Sequence, residues 1–317
     1  MPMPPTQPTP SKRAVLVSDP LSAQAIAALK SAPGISVQEV KGLSEDALVP
    51  LVREIDAWIV RGATKVTRRL IGEAPQLRWV ARAGAGLDNI DVVAAKERGI
   101  AVLNVPGANA VAVAELVFGL LLGLLRKIPA ADASLRRGEW EKSRFQGREL
   151  RGKTLGIVGL GKIGRAVSKR AQAFEMTCVG HDPLVPEAEA RSLGVEPLAL
   201  DALLARADIV TLHAPMLAET KGLFGAAQFA RMPKGAILVN AARGGLVDEA
   251  ALIAALRSGQ LGGAALDVFG EEPPRDWTLV NLPNVVATPH VGAATVEAQE
   301  AVGEEIVKLL LAAMARS

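Results

Sequence analysis

A chain of 317 residues, half of them apolar, is long enough for about two domains with sizeable cores, which excludes a disordered or fibrous protein. Its 36 basic and 33 acidic residues leave a formal charge of +3, and with no Arg/Lys block interleaved with aromatics and no tyrosine, nucleic acid is excluded as a partner. The lone Cys178, in the apolar run "MTCVG", excludes an internal disulfide framework and fits a buried structural thiol in the reducing cytoplasm.

The opening "MPMPPTQPTPSK" has neither the apolar stretch nor the cleavage site of a signal peptide, and its five prolines read as a disordered tail. From "RAVLVSD" at 13 to 19 onward, short β-branched runs alternate with Ala/Leu-rich helical stretches. "SVQEV", "DAWIVRG", "LRWVARAG" and "AVLNV" are the next strands, and the alternation predicts an α/β domain with a parallel sheet. The most hydrophobic segment, "AVAVAELVFGLLLGLL" at 110 to 125, is too short to span a bilayer comfortably and carries Glu115. It is expected to be a helix, running from about 110 to 128, buried between domains or subunits, and no membrane is expected as a partner.

After a stretch containing Pro, charge and Trp, the alternation restarts at "KTLGIVGLGKIG". Six strands are predicted here: "TLGIVG", "MTCVGHD", "DIVTLHAP", "AILVNAARG", "GAALDVF" and "NVVATPH". That is the number in a complete doubly wound parallel sheet of the Rossmann type, whose ligands bind outside the carboxyl ends of the strands. Gly159, Gly161 and Gly164 spell G-x-G-x-x-G between the first strand and the helical "RAVSKRAQAF". The glycines give a tight turn, a close approach to a pyrophosphate and tight helix–strand packing, while the amides of Lys162 and Ile163 face the anion. Alone, the motif fits a glycine-rich turn without a ligand. Asp182, ending the second strand, adds an acceptor for the ribose hydroxyls of NAD that would repel the 2′-phosphate of NADP, and together these features point to a dinucleotide. His181 beside it lies at the adenosine end, remote from any hydride.

Arg243, Glu272 and His290 each follow a strand, so the sheet delivers a guanidinium, a carboxylate and an imidazole to one edge although no local spacing links them. If the cofactor carries hydride, oxidising a 2-hydroxy acid would need a base for the hydroxyl proton, and reducing the 2-oxo acid an acid at the same place; histidine serves both. Glu272 would fix the tautomer of His290, and Arg243 offers a planar fork for a substrate carboxylate and its adjacent oxygen. Taken singly, Arg243 also fits a helix-terminus salt bridge and Glu272 a solvated loop acid. Asp267, an acid within "LDVF", is costly to bury unless paired and is assigned to the nicotinamide carboxamide. His213 and Pro215, after "DIVTLH", are expected to line the cofactor cleft, His213 as a wall. No serine in a nucleophile-elbow setting accompanies His290, and the three histidines show no metal-ligand spacing.

"GLGKIG" with Asp182, "NAARGGLVDEAAL", "LDVFGEEP" and "TPHVGAAT", in that order, resemble the D-isomer-specific 2-hydroxyacid dehydrogenase family over nearly the whole chain from about residue 13. The resemblance implies that Arg243, Glu272 and His290 are catalytic, that the cofactor is NAD, and that Ala241, Ala242 and Gly292 flank it. It implies a Rossmann coenzyme domain, residues 108–290, inserted into a flavodoxin-like α/β substrate domain, residues 1–107 and 291–317. It further implies a homodimer, or a dimer of dimers, built largely through the coenzyme domain. "IVRGATKVT" and "RAGAGLDNID" are most similar to D-3-phosphoglycerate dehydrogenases. By that likeness, amides around Ala85 and Gly86 hold the substrate carboxylate and Arg61 meets the distal phosphate, with Arg82 and Arg144 adding positive charge. His181 replaces the aromatic often found before Asp-Pro. Formate dehydrogenases, which have Gln where Glu272 stands, are set aside. The short stretch after His290 leads to the expectation that no C-terminal regulatory domain is present.

The expected activity is NAD-dependent dehydrogenation of a D-2-hydroxy acid, foremost 3-phosphoglycerate to 3-phosphohydroxypyruvate in serine biosynthesis, with domain closure excluding water. A glyoxylate or hydroxypyruvate reductase would use the same scaffold and the same three groups. A rival of another class is a nucleotide-sensing scaffold, like the transcriptional corepressors that keep this fold and cofactor.

Overall fold

Runs such as "AVLV" and "AWIV" are apolar at consecutive positions, the pattern of strands covered on both faces. A computed structural model describes residues 12–316, in which these runs become parallel strands. The proline-rich opening, expected to be a disordered tail, lies outside the described residues except for Lys12. The chain divides into two compact units, one running to Asn109 and resuming at Thr295, the other Ala110–Ala294.

The first unit is built on five parallel strands, β1 (Arg13–Val17), β2 (Ile35–Glu39), β3 (Ala57–Val60), β4 (Trp79–Arg82) and β5 (Ala101–Asn104), in the order β2-β1-β3-β4-β5. This is the flavodoxin-like order anticipated from the family resemblance, and its winding reverses between β1 and β3. Alternate residues face opposite layers, as a side-chain period of two requires. Val15, Ile59 and Ala81 meet α1 (Ala23–Ser31) and the C-terminal helix (Val296–Ala315) through Leu29, Ile306 and Leu310. Leu16, Trp58 and Val80 meet α2 (Glu45–Val52), α3 (Arg68–Gly72) and α4 (Val92–Glu97). Ser22, Ser44, Thr67 and Asp91 cap α1 to α4, each side-chain oxygen accepting from a first-turn amide and so satisfying a donor that the helix leaves unpaired.

The second unit begins with α5 (Ala110–Leu125) and α6 (Ile128–Arg136). Its sheet then comprises β6 (Thr154–Val158), β7 (Thr177–His181), β8 (Glu196–Pro197), β9 (Ile209–Leu212), β10 (Ala236–Asn240), β11 (Leu261–Leu266) and β12 (Val285–Ala287). The order is β12-β11-β10-β9-β6-β7-β8, every pair parallel. Helices α5, α7 (Lys162–Ala173) and α8 (Glu187–Ser192) cover one face; α9 (Leu200–Arg206), α10 (Ala226–Arg231) and α11 (Glu249–Arg257) cover the other. The result is a doubly wound sheet with the 3-2-1-4-5-6 order of dinucleotide folds, extended by β12.

Two details differ from the sequence reading. The sheet has seven strands, not six, because Glu196 and Pro197 pair with Val179 and Gly180 in a two-residue edge strand with no apolar run to mark it. The helix expected to continue to about 128 stops at Leu125, and α6 follows it. Lys127 adopts a left-handed backbone with φ 54°, and Pro129 lies in the first turn of α6, where a missing N–H costs nothing. No helix of the described residues is long and apolar enough to cross a membrane.

Candidate active site

The turn after β6 shows three glycines with three different constraints. Gly159 has φ 96°, and a side chain there would meet the backbone of His213 at 2.7 Å. A side chain at Gly164 would collide with the Gly159 carbonyl, so the turn and α7 pack only without one. Gly161 differs: at φ −65° it has ordinary geometry, and nothing lies within 4 Å of where its Cβ would be. Internal packing accounts for Gly159 and Gly164, while the space at Gly161 remains for a ligand to approach the backbone. Gly161 is also the N-cap of α7, which therefore presents the amides of its first turn, those of Lys162 and Ile163 among them, at the positive end of the helix dipole.

Asp182 ties this turn to the end of β7, its Oδ2 accepting from the Leu160 amide at 2.8 Å and its Oδ1 from the Leu184 amide at 2.9 Å. A carboxylate has about four acceptor positions, so both oxygens keep capacity for a pair of vicinal hydroxyls. These features fit a dinucleotide. Neighbouring His181 is engaged through Nδ1 with the Leu198 carbonyl at 3.0 Å.

His213 forms the wall on which the turn rests. Its Nε2 lies 2.9 Å from Thr211 Oγ1, its Nδ1 is enclosed, and burial pushes the imidazole down to about 3, so the ring is neutral. Exposed Pro215 follows, its carbonyl accepting from Thr220 Oγ1 at 2.6 Å. Ala241 and Ala242 are buried in the turn after β10. That turn is shaped by Asn240, 1% exposed, whose Oδ1 accepts from the Ala242 amide at 3.1 Å and whose Nδ2 donates to the Arg243 carbonyl at 2.9 Å. Sequence reasoning passes over Asn240, although an amide ending a fully apolar strand is the available signal.

The three ionisable groups at the carboxyl edge are electrically coupled. Nδ1 of His290 lies 2.6 Å from Oε2 of Glu272, and Oε1 of Glu272 accepts from the Phe269 amide at 3.0 Å. The Glu272 hydrogen bond is the main cause raising His290 above 6.5, against burial and the positive charge of Arg243. Burial pushes Glu272 upward, but hydrogen bonds from His290 and Phe269, with the charges of His290 and Arg243, outweigh it and leave the acid below its ordinary value. Arg243 directs Nη1 to the Ala242 carbonyl at 2.7 Å. Glu249, also passed over, steadies the segment before Glu272 by accepting from the Gly270 amide at 2.7 Å. A cavity of about 440 Å³ lies beside the pair, lined by Phe269, Pro273, Trp277 and Thr288 as well as Glu272 and His290.

His290 itself is held at φ 54°, a left-handed conformation that an L-residue adopts only when its surroundings impose it. Asp267 imposes it. The carboxylate, 1% exposed, accepts from Thr288 Oγ1 at 2.6 Å and from the amides of Val291 and Gly292, each at 2.8 Å, while its carbonyl accepts from the His290 amide at 2.8 Å. Asp267, expected from sequence to meet a carboxamide, is thus committed largely to anchoring the 288–292 loop.

In the first unit, Arg61 follows β3, and Ala85 and Gly86 follow β4. The Arg61 amide donates to Asp19 Oδ2 at 2.6 Å, and its guanidinium makes no hydrogen bond or ion pair among the described residues. The Ala85 carbonyl accepts from Asn104 Nδ2 at 2.6 Å, which holds the turn to β5. Arg82 packs its guanidinium over Gly84. Arg144 is engaged locally in an ion pair with Glu141 at 2.7 Å. Among the described residues, no group of three His, Cys, Asp or Glu is placed to hold a metal ion.

Residues 118–292 match the model of the "D-isomer specific 2-hydroxyacid dehydrogenase, NAD binding domain". The chain is 49% identical over 308 residues to a D-3-phosphoglycerate dehydrogenase of Methanocaldococcus jannaschii, covering 96% of this chain and 58% of that protein. It thus spans little more than half the length of the curated relatives it matches, 55% in the Rattus norvegicus case. Among solved structures, the TT0316 protein of Thermus thermophilus superposes with a TM-score of 0.87 at 38% identity, covering 95% of this chain and 97% of that one. A glyoxylate reductase from Paecilomyes thermophila superposes with a TM-score of 0.88 at 32% identity, covering 96% of each.

Proposed function

This chain belongs to the D-isomer specific 2-hydroxyacid dehydrogenase family, and from that premise we propose that it transfers hydride between D-3-phosphoglycerate and NAD, giving 3-phosphohydroxypyruvate. The observation that carries the reading is the His290–Glu272 hydrogen bond of 2.6 Å at the carboxyl edge of a sheet that also carries the glycine turn and Asp182. Gly161, the α7 amides and Asp182 would hold NAD, with His213, Pro215, Ala241, Ala242 and Gly292 beside it. When bound, NAD supplies the acceptor for the hydride that leaves C2 of the hydroxy acid.

The chain's own residues handle the proton and the charges. With Nδ1 committed to Glu272, His290 keeps Nε2 for the substrate hydroxyl, taking its proton in oxidation and returning it in reduction. Glu272 stabilises the resulting imidazolium. Arg243 binds the carboxylate and the C2 oxygen as a planar fork, and its positive charge favours the oxygen as negative charge develops there. In the first unit, the amides around Ala85 and Gly86 are assigned to the substrate carboxylate and Arg61 to its distal phosphate. The 49% identity to a D-3-phosphoglycerate dehydrogenase favours the phosphorylated substrate over glyoxylate, on which the 32% identical relative is named to act.

We assign the chain to the cytoplasm, in keeping with a single buried thiol, and to a homodimer or dimer of dimers. Val111, Ile128, Leu135 and Trp140, more than half exposed on or near α5 and α6, supply an apolar surface suited to that contact. The test is NADH formation with a panel of D- and L-2-hydroxy acids, with and without phosphate. Turnover of D-3-phosphoglycerate well above unphosphorylated D-acids supports the assignment; tight NAD binding without turnover of any acid would favour a sensing scaffold instead.

A further inference from the structure

The winding of the first unit's sheet reverses between β1 and β3, and ligands of open parallel sheets bind beyond the carboxyl ends of strands at such a reversal. Asp19 lies just beyond β1 and Arg61 just beyond β3. Asp19 is only 4% exposed and accepts three hydrogen bonds from the segment after β3. These come from the Arg61 amide at 2.6 Å, the Thr64 amide at 3.1 Å and Thr64 Oγ1 at 2.9 Å. Asn89 holds the same turn by its carbonyls, its Nδ2 donating to the Arg61 carbonyl at 2.7 Å and the Thr64 carbonyl at 2.6 Å. The turn is therefore gripped at its donors by one side chain and at its acceptors by another. Meanwhile the Arg61 guanidinium has no partner among the described residues.

We propose that Asp19 and Asn89 are positioning residues that aim Arg61 at the distal anion of the substrate, a proposal resting on the assignment of that anion to Arg61. Burying a carboxylate is costly, and here three donors offset it. Its Oδ2 accepts from two backbone amides with the strength of charge-assisted bonds, which a neutral amide oxygen would replace only in part. Asn89 stands in the same segment as Ala85 and Gly86, so its two bonds also fix the spacing between the turn assigned to the phosphate and the turn assigned to the carboxylate. A long cation held by a rigid backbone loses less freedom on binding than one on a mobile loop.

Steady-state kinetics on the full chain test this, comparing D-3-phosphoglycerate oxidation with glyoxylate reduction. Asp19→Asn is expected to raise KM for D-3-phosphoglycerate about tenfold, the scale of a charge-assisted hydrogen bond, while kcat and both KM for glyoxylate and KM for NAD stay within about twofold. Combined with Arg61→Ala, it should add little to the loss from Arg61→Ala alone, since both act through one guanidinium. Asp19→Glu should restore part of the KM. In hydrogen exchange, Asp19→Asn should expose the Arg61 and Thr64 amides. If Asp19→Asn does not fold, Thr64→Val, which removes only the hydroxyl donor to Asp19, carries the same kinetic test. Equal KM changes for both substrates, or a double variant that loses the product of the single losses, would overturn the positioning role while leaving the Arg61 assignment intact. An Arg61→Ala effect equal on the two substrates would remove the anion assignment itself.

Discussion

His290 holds its Nδ1 2.6 Å from Oε2 of Glu272 while its own backbone is kept left-handed by Asp267. If the chain acts as proposed, the pair should make activity depend on pH with a definite sign. Oxidation needs His290 neutral, so kcat/KM for the hydroxy acid should rise through a midpoint above 6.5, and reduction should fall through a similar one. Glu272→Gln should move both midpoints down and lower kcat by about 10²-fold or more. The pair's effect on stability has the opposite pH direction to the oxidation rate. A histidine raised in the folded state stabilises fully below 6.5, and that stabilisation is lost as pH rises through the folded value. Solvent screening keeps it small, because both side chains are more than a third exposed.

Gly161 and Gly164 should separate cofactor binding from folding. Gly161→Ala places a methyl in open space at an ordinary φ, so stability should hold while NAD affinity falls about tenfold or more. Gly164→Ala drives a methyl into the Gly159 carbonyl and should lower both. Thermal denaturation paired with NAD titration reads the two effects separately.

Asp182→Ser should erode the preference for NAD over NADP. Removing the carboxylate takes away a ribose acceptor and the charge that repels a 2′-phosphate, so the ratio of kcat/KM values should fall by about tenfold or more. An unchanged ratio would place the ribose elsewhere.

His213 should limit stability in acid. Its depressed value means that the unfolded chain binds a proton that the folded chain refuses, so stability falls as pH drops from 6.5 towards about 3. His213→Gln should flatten that limb in urea titrations and leave the midpoint of the activity profile in place, because the ring touches Thr211 and not His290.

Legibility in the sequence followed physical cause. Strands covered on both faces betray themselves by apolar runs, so β1, β3, β4 and most of β6–β12 could be read, and edge strand β2 by its β-branched Ile35 and Val37, but Glu196–Pro197 at an edge carries no such signal. The start of α6 was hidden because Pro129 reads as a breaker although it is tolerated in a first turn. The meeting of Glu272 and His290 follows from each residue's place after a parallel strand, since a parallel sheet gathers its carboxyl ends at one edge. What stayed hidden were the anchors, namely Asp19, Asn89, Asn240 and Glu249, together with the loop-holding bonds of Asp267. Their partners are backbone amides or carbonyls of distant turns, and a backbone partner leaves no residue type in the sequence to recognise.

Whether His290 relays the proton while hydride passes between substrate and NAD is decided by NADH formation from D-3-phosphoglycerate in wild type and His290→Gln, with NAD affinity measured on both. Turnover in wild type, a loss of about 10²- to 10⁴-fold in kcat for the variant, and equal NAD affinity are expected. Equal turnover by the variant, or no NADH from wild type with NAD bound, would contradict that relay.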